Sequence, residues 1–306
     1  MTFENFEISD EIINILLWDN SSKKNIIWAN DDYSYLGKGY SSKDFITLDI
    51  IKKNIIHPRV VKEQNIQRNR TSEKAEVFTP AWVCNLQNNL IDNSWFGREG
   101  VFNIEKENSW ETVYDKVEFP KDKSWEDYVN ENRLEVTCGE APYLVSRYDV
   151  ANNTKIEVKD RIGILDRKLR IVNENATEEN WLDYYISAYK ATYGFEFQGD
   201  NLFIARLNLL LTFLENCSIF NHGYGDVTLK EIARIISWNL WQMDGLKMVV
   251  PLSCKSSKDT KTFMFGTPEE CFGCKYDDVH RHNGIYCSIM DWQGNKPVKF
   301  LSLIRE

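Results

Sequence analysis

The apolar positions of this chain change period several times along its length. Residues 12–18 (IINILLW) are apolar except for Asn14, and they read as a strand or a buried helix. Residues 25–29 follow the polar turn Ser21-Ser22-Lys23-Lys24 and read as the strand partner. Residues 42–55 suggest loop and short helix, punctuated by Pro58. From Val77 the pattern shifts. Thr79 can cap a helix with Pro80 at or near its first turn, and residues 82–91 then carry apolar side chains at helical spacing. Residues 95–130 are rich in Trp and polar side chains, which suggests loop and short helix. Residues 133–137 read as a strand ending in Cys138-Gly139, and 181–193 as a helix. Residues 194–197 read as a short buried strand, and 200–214 as a strong helix with Leu202, Ala205, Leu209 and Phe213 in register. Residues 229–236 read as a helix capped by Thr228, and 237–242 as a strand leading to Asp244.

Strands alternating with helices predict an α/β fold with a parallel sheet of the doubly wound type. The last part differs. The polar stretch 251–287 holds four of the seven cysteines, and residues 285–292 and 298–304 flank the turn Gln293-Gly294-Asn295 as a β-hairpin would. This divides the chain into an N-terminal cap (1–70), a central α/β domain (71–250) and a cysteine-rich appendage (251–306). There is no internal repeat and no low-complexity tract.

Composition narrows the class. With 306 residues, 42% of them hydrophobic, the chain can bury a full core. No apolar run approaches the ~20 residues that cross a bilayer. The first residues carry neither a basic nor an apolar leader pattern, so a cytoplasmic protein without membrane contact is expected. In that reducing setting the cysteines favour metal ligation or plain burial over disulfides. The net charge of -9 and a pI of about 5.2 lack the basic footprint of a phosphate-gripping protein. Lys52, Lys53, Arg59, Lys62, Arg68 and Arg70, set against Glu63 and Glu73, form the one local exception. They read as a solvated face or as a phosphate-contacting arm.

Cys271-Phe272-Gly273-Cys274 is a C-x-x-C knuckle, with Cys254 upstream, Cys287 downstream, and His280 and His282 between. Thiolates at this spacing can wrap a tetrahedral structural zinc and organise a segment too polar to make its own core. Cys254, Cys271, Cys274 and Cys287 are the first choice of ligands, and His282 in place of one of them is the second. Unligated cysteines beside a turn are the bland alternative. Cys84, Cys138 and Cys217 sit in apolar or strand-end contexts and read as buried.

Three strand ends carry the other candidate chemistry. After Glu135, the small residues Gly139 and Ala141 let a ligand approach the backbone, following N–H groups can hold a carboxylate, and Glu135 can accept from an ammonium. Glu196 can accept the ribose hydroxyls of a nucleoside, while Asp200 reads as a helix cap. Asp244 can accept from the exocyclic amine of adenine. Upstream, Thr79 at a helix start can cap the amino-acid end of a ligand. Each has an ordinary structural alternative: a strand-to-loop corner, a strand-end carboxylate, a turn aspartate.

In order, Phe78-Thr79-Pro80, residues 135–144 (EVTCGEAPYL), 193–211 (beginning YGFE) and 239–246 (NLWQMDGL) resemble the motifs of gamma-type adenine-N6 DNA methyltransferases of bacterial restriction-modification systems, the subunit M-like proteins. The resemblance covers about residues 70–250. It implies a Rossmann-like sheet for S-adenosylmethionine (SAM). Thr79 would lie at the methionine end with Phe78 and Pro80. Glu135, Thr137, Cys138, Gly139 and Ala141 would form the cofactor loop. Glu196, with Phe197, would hold the ribose, and Asp244 the adenine. Ala141 stands where the family usually has glycine, and a polar insert at roughly 145–190 precedes Glu196. The family's Asn/Asp-Pro-Pro-Tyr turn, which receives the flipped adenine, has no match, since the chain contains no Pro-Pro. Asn283-Gly284-Ile285-Tyr286 keeps only its end residues, and Asp291-Trp292 is a weaker substitute. The expectation is a SAM-binding subunit that meets DNA through a second methyltransferase or restriction chain. Alternatives are a zinc-stabilised protein- or DNA-binding accessory, and a complete methyltransferase with a divergent turn.

Overall fold

The computed structural model describes residues 1–58, 79–256 and 269–304. A hairpin, β1 (Thr2–Phe3) with β2 (Phe6–Glu7), precedes helix α1 (Asp10–Leu17), and β3 (Trp18–Asp19) then pairs antiparallel with β4 (Lys24–Asn25). Short α2 (Leu48–Lys52) follows. Next come α3 (Ala81–Phe96), the hairpin β5 (Asn103–Lys106) and β6 (Ser109–Thr112), α4 (Trp125–Asn130) and β7 (Arg133–Glu135). Then α5 (Ile164–Asn175), α6 (Trp181–Lys190), β8 (Thr192–Glu196), α7 (Gly199–Phe220), α8 (Asp226–Asn239) and β9 (Leu240–Gln242) complete the central part. The C-terminal part holds α9 (Phe272–Tyr276) and the hairpin of β10 (Ser288–Asp291) with β11 (Lys296–Lys299).

The fold is mixed α/β with small sheets. Its centre is a three-stranded parallel sheet in the order β7-β8-β9, with Leu134 opposite Tyr193 and Glu196 opposite Gln242. Helices α5 and α6 link β7 to β8, and α7 and α8 link β8 to β9, as parallel strands require. The carboxyl ends of all three strands therefore point the same way.

Several expected boundaries move for identifiable reasons. Residues 12–17 resolve into a helix, with Ser9 accepting from the Ile12 N–H as its N-cap, and Trp18 opens β3. Residues 237–239 belong to α8 rather than to β9, and Asn239 uses its amide to donate to the Tyr189, Lys190 and Thr192 carbonyls. Thr228 lies inside α8 and does not cap it; Gly225 takes that position. Thr79 does not cap α3 either. Pro80 is the N-cap residue, and the Ala81 N–H finds its acceptor in the Asp149 carboxylate.

Helix α7 is the axis of the core. It is 22 residues long and apolar enough by length and composition to cross a membrane, yet 89% of that apolar window is buried against protein. At its middle, Arg206 is fully buried and donates to the carbonyls of Leu16, Trp18, Ser237 and Leu240. One guanidinium thus satisfies the carboxyl ends of α1 and α8, where orphan carbonyls concentrate.

The first 58 residues are part of this core, not a cap laid upon it. Ile12, Ile13, Leu16, Trp28 and Ile46 share one apolar cluster with Leu165, Leu202, Phe213 and Ile236. Gln242 locks residues 26–29 over the strand ends: its side chain accepts from the Ile27 N–H and donates to the Ile27 and Phe197 carbonyls. Gly199 donates to the Trp28 carbonyl, and a Cβ at Gly199 would collide with the Ile27 carbonyl. Asp200 is buried inside the first turn of α7, where it accepts from Tyr33 and Asn30.

Candidate functional site

A cavity of about 890 Å³ opens at the carboxyl ends of β7 and β8, within the range of small-molecule sites. One wall is α3, which contributes Gln87, Asn88 and Ile91. That helix is fixed by a polar face rather than an apolar one. Arg167 of α5, 1% exposed, donates to Asp92, Asn85 and Asn89 of α3 and lies over the Phe102 ring. Asn88 donates to the Tyr143 and Ile162 carbonyls and ties α3 to the loop after β7. The other walls come from residues 134–140 and 142–144, from Glu196, Phe197 and Gln198, from Asn201 of α7 and from Ala29.

Two carboxylates stand at neighbouring strand tips. Glu135 is buried, and its Oε2 has no hydrogen-bond partner among the described residues. Burial pushes its carboxyl well above the usual range; the backbone N–H groups of Tyr143 and Leu144 oppose this, and the negative Glu196 adds to the rise. Glu196 bridges the tips. Its Oε2 accepts from the Gly139 N–H at 2.8 Å and its Oε1 from the Gln198 N–H at 2.9 Å.

The turn between them is built on alternate left-handed residues. Thr137, Gly139 and Ala141 have φ of 50°, 55° and 64°. Gly139 takes this conformation without cost; Thr137 and Ala141 do not. The N–H groups of Cys138, Gly139 and Ala141 are already used on Phe195 O, Glu196 and Cys138 O. The expected backbone cradle for a ligand carboxylate is thus largely spent inside the turn, and among the lining residues Glu135 is the one with a buried side-chain oxygen left unmet, its Oε2.

Of the residues read from the sequence, Thr79, Glu135, Thr137, Cys138, Gly139, Glu196 and Phe197 line this one cavity. Ala141, fully buried, lies beneath the turn and is not among the lining residues, and neither is Pro80. Phe78 lies outside the described residues, as do Arg59, Lys62, Arg68 and Arg70; Lys52 is exposed and pairs with Asp10. Asp244 does not reach the cavity. Its Oδ1 accepts from the Leu246 and Lys247 N–H groups and its Oδ2 faces the Lys247 ammonium, so it is a turn aspartate. Gln242, one register step earlier, occupies the tip of β9 and spends its amide on residues 27 and 197. Asn88 and Asn201 join the cavity because α3 and α7 dock there, whereas Tyr143 and Gln198 come from the loops at the strand ends and carry no singled-out role in the sequence.

A second group lies in the C-terminal part. The ligand atoms of Cys254, Cys271, Cys274 and His282 all lie within 4.8 Å of one another, and the set could hold a metal ion. Cys287, the expected fourth thiolate, is excluded. It is fully buried among Phe195, Trp241 and Met243, with its Sγ donating to the Gln242 carbonyl. His282 takes its place; His280 is not in the group. Despite the opposing effect of burial, backbone N–H groups led by Asn283 bring the Cys271 thiol down to about 6. Burial and sulfur neighbours push Cys254 up to about 12.

The residues weighed as a substitute catalytic turn are absorbed by this knuckle. Asn283 exchanges hydrogen bonds with the Lys255 backbone, and Tyr286 accepts from the His282 N–H and donates to the Val279 carbonyl. Asp291 accepts from Gln293 and Gly294 in the hairpin turn, and Trp292 donates to Asn239. Compared with known proteins, the chain matches no family model, no curated protein and no solved structure.

Proposed function

We propose that the chain binds SAM in the cavity at the β7 and β8 tips, as a subunit or relative of the bacterial restriction-modification adenine-N6 DNA methyltransferases. The observation that carries this reading is the buried Oε2 of Glu135, unpartnered among the described residues and belonging to a residue that lines a cavity of ligand size. A buried acceptor without a donor is costly, and a ligand ammonium would remove that cost. A cationic nucleoside with an amino-acid arm brings such a group. Glu196, held between the Gly139 and Gln198 N–H groups in the cavity wall, can take a ribose hydroxyl. Parallel strand ends in a crevice are where α/β sheets place nucleotides.

The reading is of binding, with methyl transfer left to a second chain. The sequence has no Pro-Pro turn, and the candidate substitutes are committed to the knuckle and the hairpin. A net charge of -9 agrees with a DNA grip located in that partner. Calorimetric titration with SAM tests the proposal. The wild-type chain should bind one equivalent, and Glu135→Gln should bind at least tenfold more weakly, as the loss of a charge-assisted hydrogen bond of about 1.5–3 kcal/mol requires. A folded wild type that takes no SAM overturns it.

A further inference from the structure

We infer that Cys254, Cys271, Cys274 and His282 hold a single zinc ion, and that this ion closes the β9 side of the sheet. His282 Nδ1 lies 3.6, 3.7 and 3.6 Å from the sulfurs of Cys254, Cys271 and Cys274. One imidazole nitrogen has one proton or one lone pair, so hydrogen bonding explains at most one of these approaches. Three equal distances describe atoms arranged around a shared centre. With Zn–S of about 2.3 Å and Zn–N of about 2.0–2.1 Å at tetrahedral angles, N and S fall about 3.5–3.6 Å apart.

The donor set selects the metal. Three soft sulfurs and one imidazole in a tetrahedron favour zinc over the oxygen-seeking cations, and four protein ligands leave no open position, so the ion is structural. The surroundings are cut to this geometry. The Asn283 N–H donates to the Cys271 sulfur at 3.2 Å. A Cβ on Gly273 would stand 2.6 Å from His282 Nδ1, so only glycine lets the knuckle and the imidazole meet. Among the described residues of the knuckle, the large apolar side chains Phe272 and Tyr276 are 43% and 58% exposed rather than packed into a core. Metal binding is then the energy that orders it.

The ion joins two runs of chain that together continue from β9. Asp244 bridges to Val249, and Val249 to Tyr286; Val250 donates to Ile285, and Cys287 to Met248. Cys254 anchors the first run, and Cys271, Cys274 and His282 anchor the second. The ladder they pin packs Val250 and Cys287 against the buried Trp241 and Met243, and the Cys287 Sγ donates to the Gln242 carbonyl of β9. This inference does not depend on what the cavity binds.

Elemental analysis with native mass spectrometry of the full chain, expressed with zinc in the medium, tests it. One zinc per chain is expected, kept by Cys287→Ala and lost by Cys274→Ser and His282→Ala. Cobalt in place of zinc should give the intense visible bands and sulfur charge transfer of a tetrahedral thiolate site. Should His282→Ala fail to fold, His282→Cys is expected to keep the ion with a four-sulfur cobalt spectrum. A metal-free wild type that also shows no cobalt bands, or loss of the ion in Cys287→Ala with retention in His282→Ala, overturns the inference.

Discussion

The cavity at the strand tips and the cysteine knuckle both gather polar side chains into a small volume, but they assemble them at different ranges. The knuckle takes three of its four ligands from residues 271–282, within one short turn and the loop behind it. The cavity takes Thr79, Asn88, Glu135, Glu196 and Asn201 from separate elements, and they meet because the β7-β8 register and the docking of α3 and α7 put them there. A locally assembled site depends on its own ligands. A site assembled at long range depends on every contact that sets the frame, including contacts far from any ligand. The two should therefore fail separately, and for different reasons.

The largest effect should come from metal removal. Structural zinc in small modules contributes on the order of 10 kcal/mol of binding energy. Dialysis against a strong chelator is expected to expose the segment around Cys254 and Cys271 to limited proteolysis while SAM titration stays unchanged. Simultaneous loss of SAM binding would break the separation. Next is Gly199→Ala, which forces a methyl against the Ile27 carbonyl. Overpacking of this kind costs about 1–3 kcal/mol. It should lower Tm and weaken SAM binding together, with zinc content retained.

A third test is pH. In the folded chain the Glu135 carboxyl is raised above its unfolded value, chiefly by burial. Between those two values the unfolded chain binds fewer protons, so this group's contribution to stability falls as pH rises. A cationic ligand needs the charged carboxylate, so SAM affinity should climb over the same window. Glu135→Gln should flatten that climb in titrations run across it. The smallest effect is Ala141→Gly. The φ of 64° at this buried alanine is a left-handed strain worth about 1–2 kcal/mol. Relieving it should raise stability by about 1 kcal/mol or less once the lost buried methyl is counted. Chemical denaturation would show it, and a decrease would mean that the methyl's packing outweighs the strain.

Much of the local structure was legible. Apolar period placed α3, α6, α7 and α8 and the strands β7 and β8, and the small residues after Glu135 marked the turn that lines the cavity. The C-x-x-C spacing marked the knuckle. The errors follow from one cause. Asp244 and Cys287 each have the right chemistry near the right place, but a strand's alternation and a turn's hydrogen bonds decide which way a side chain faces. Cys287 sits inside the apolar cluster immediately before β10, whereas His282 lies in the polar loop against Cys271. The asparagines of α3 are explained by remote partners: Asn85 and Asn89 accept from the buried Arg167, and Asn88 donates to the Tyr143 and Ile162 carbonyls.

By itself, the sequence determined what depends on neighbours along the chain: helix period, the turn after β7, and a cysteine knuckle able to hold a metal. Tertiary structure decided what depends on distant partners. It made residues 26–29 a lid on the β9 tip through Gln242, left Glu135 with an unsatisfied oxygen, and chose His282 over Cys287. Local propensities act over a few residues, whereas burial and hydrogen-bond satisfaction are settled only when remote segments close on each other.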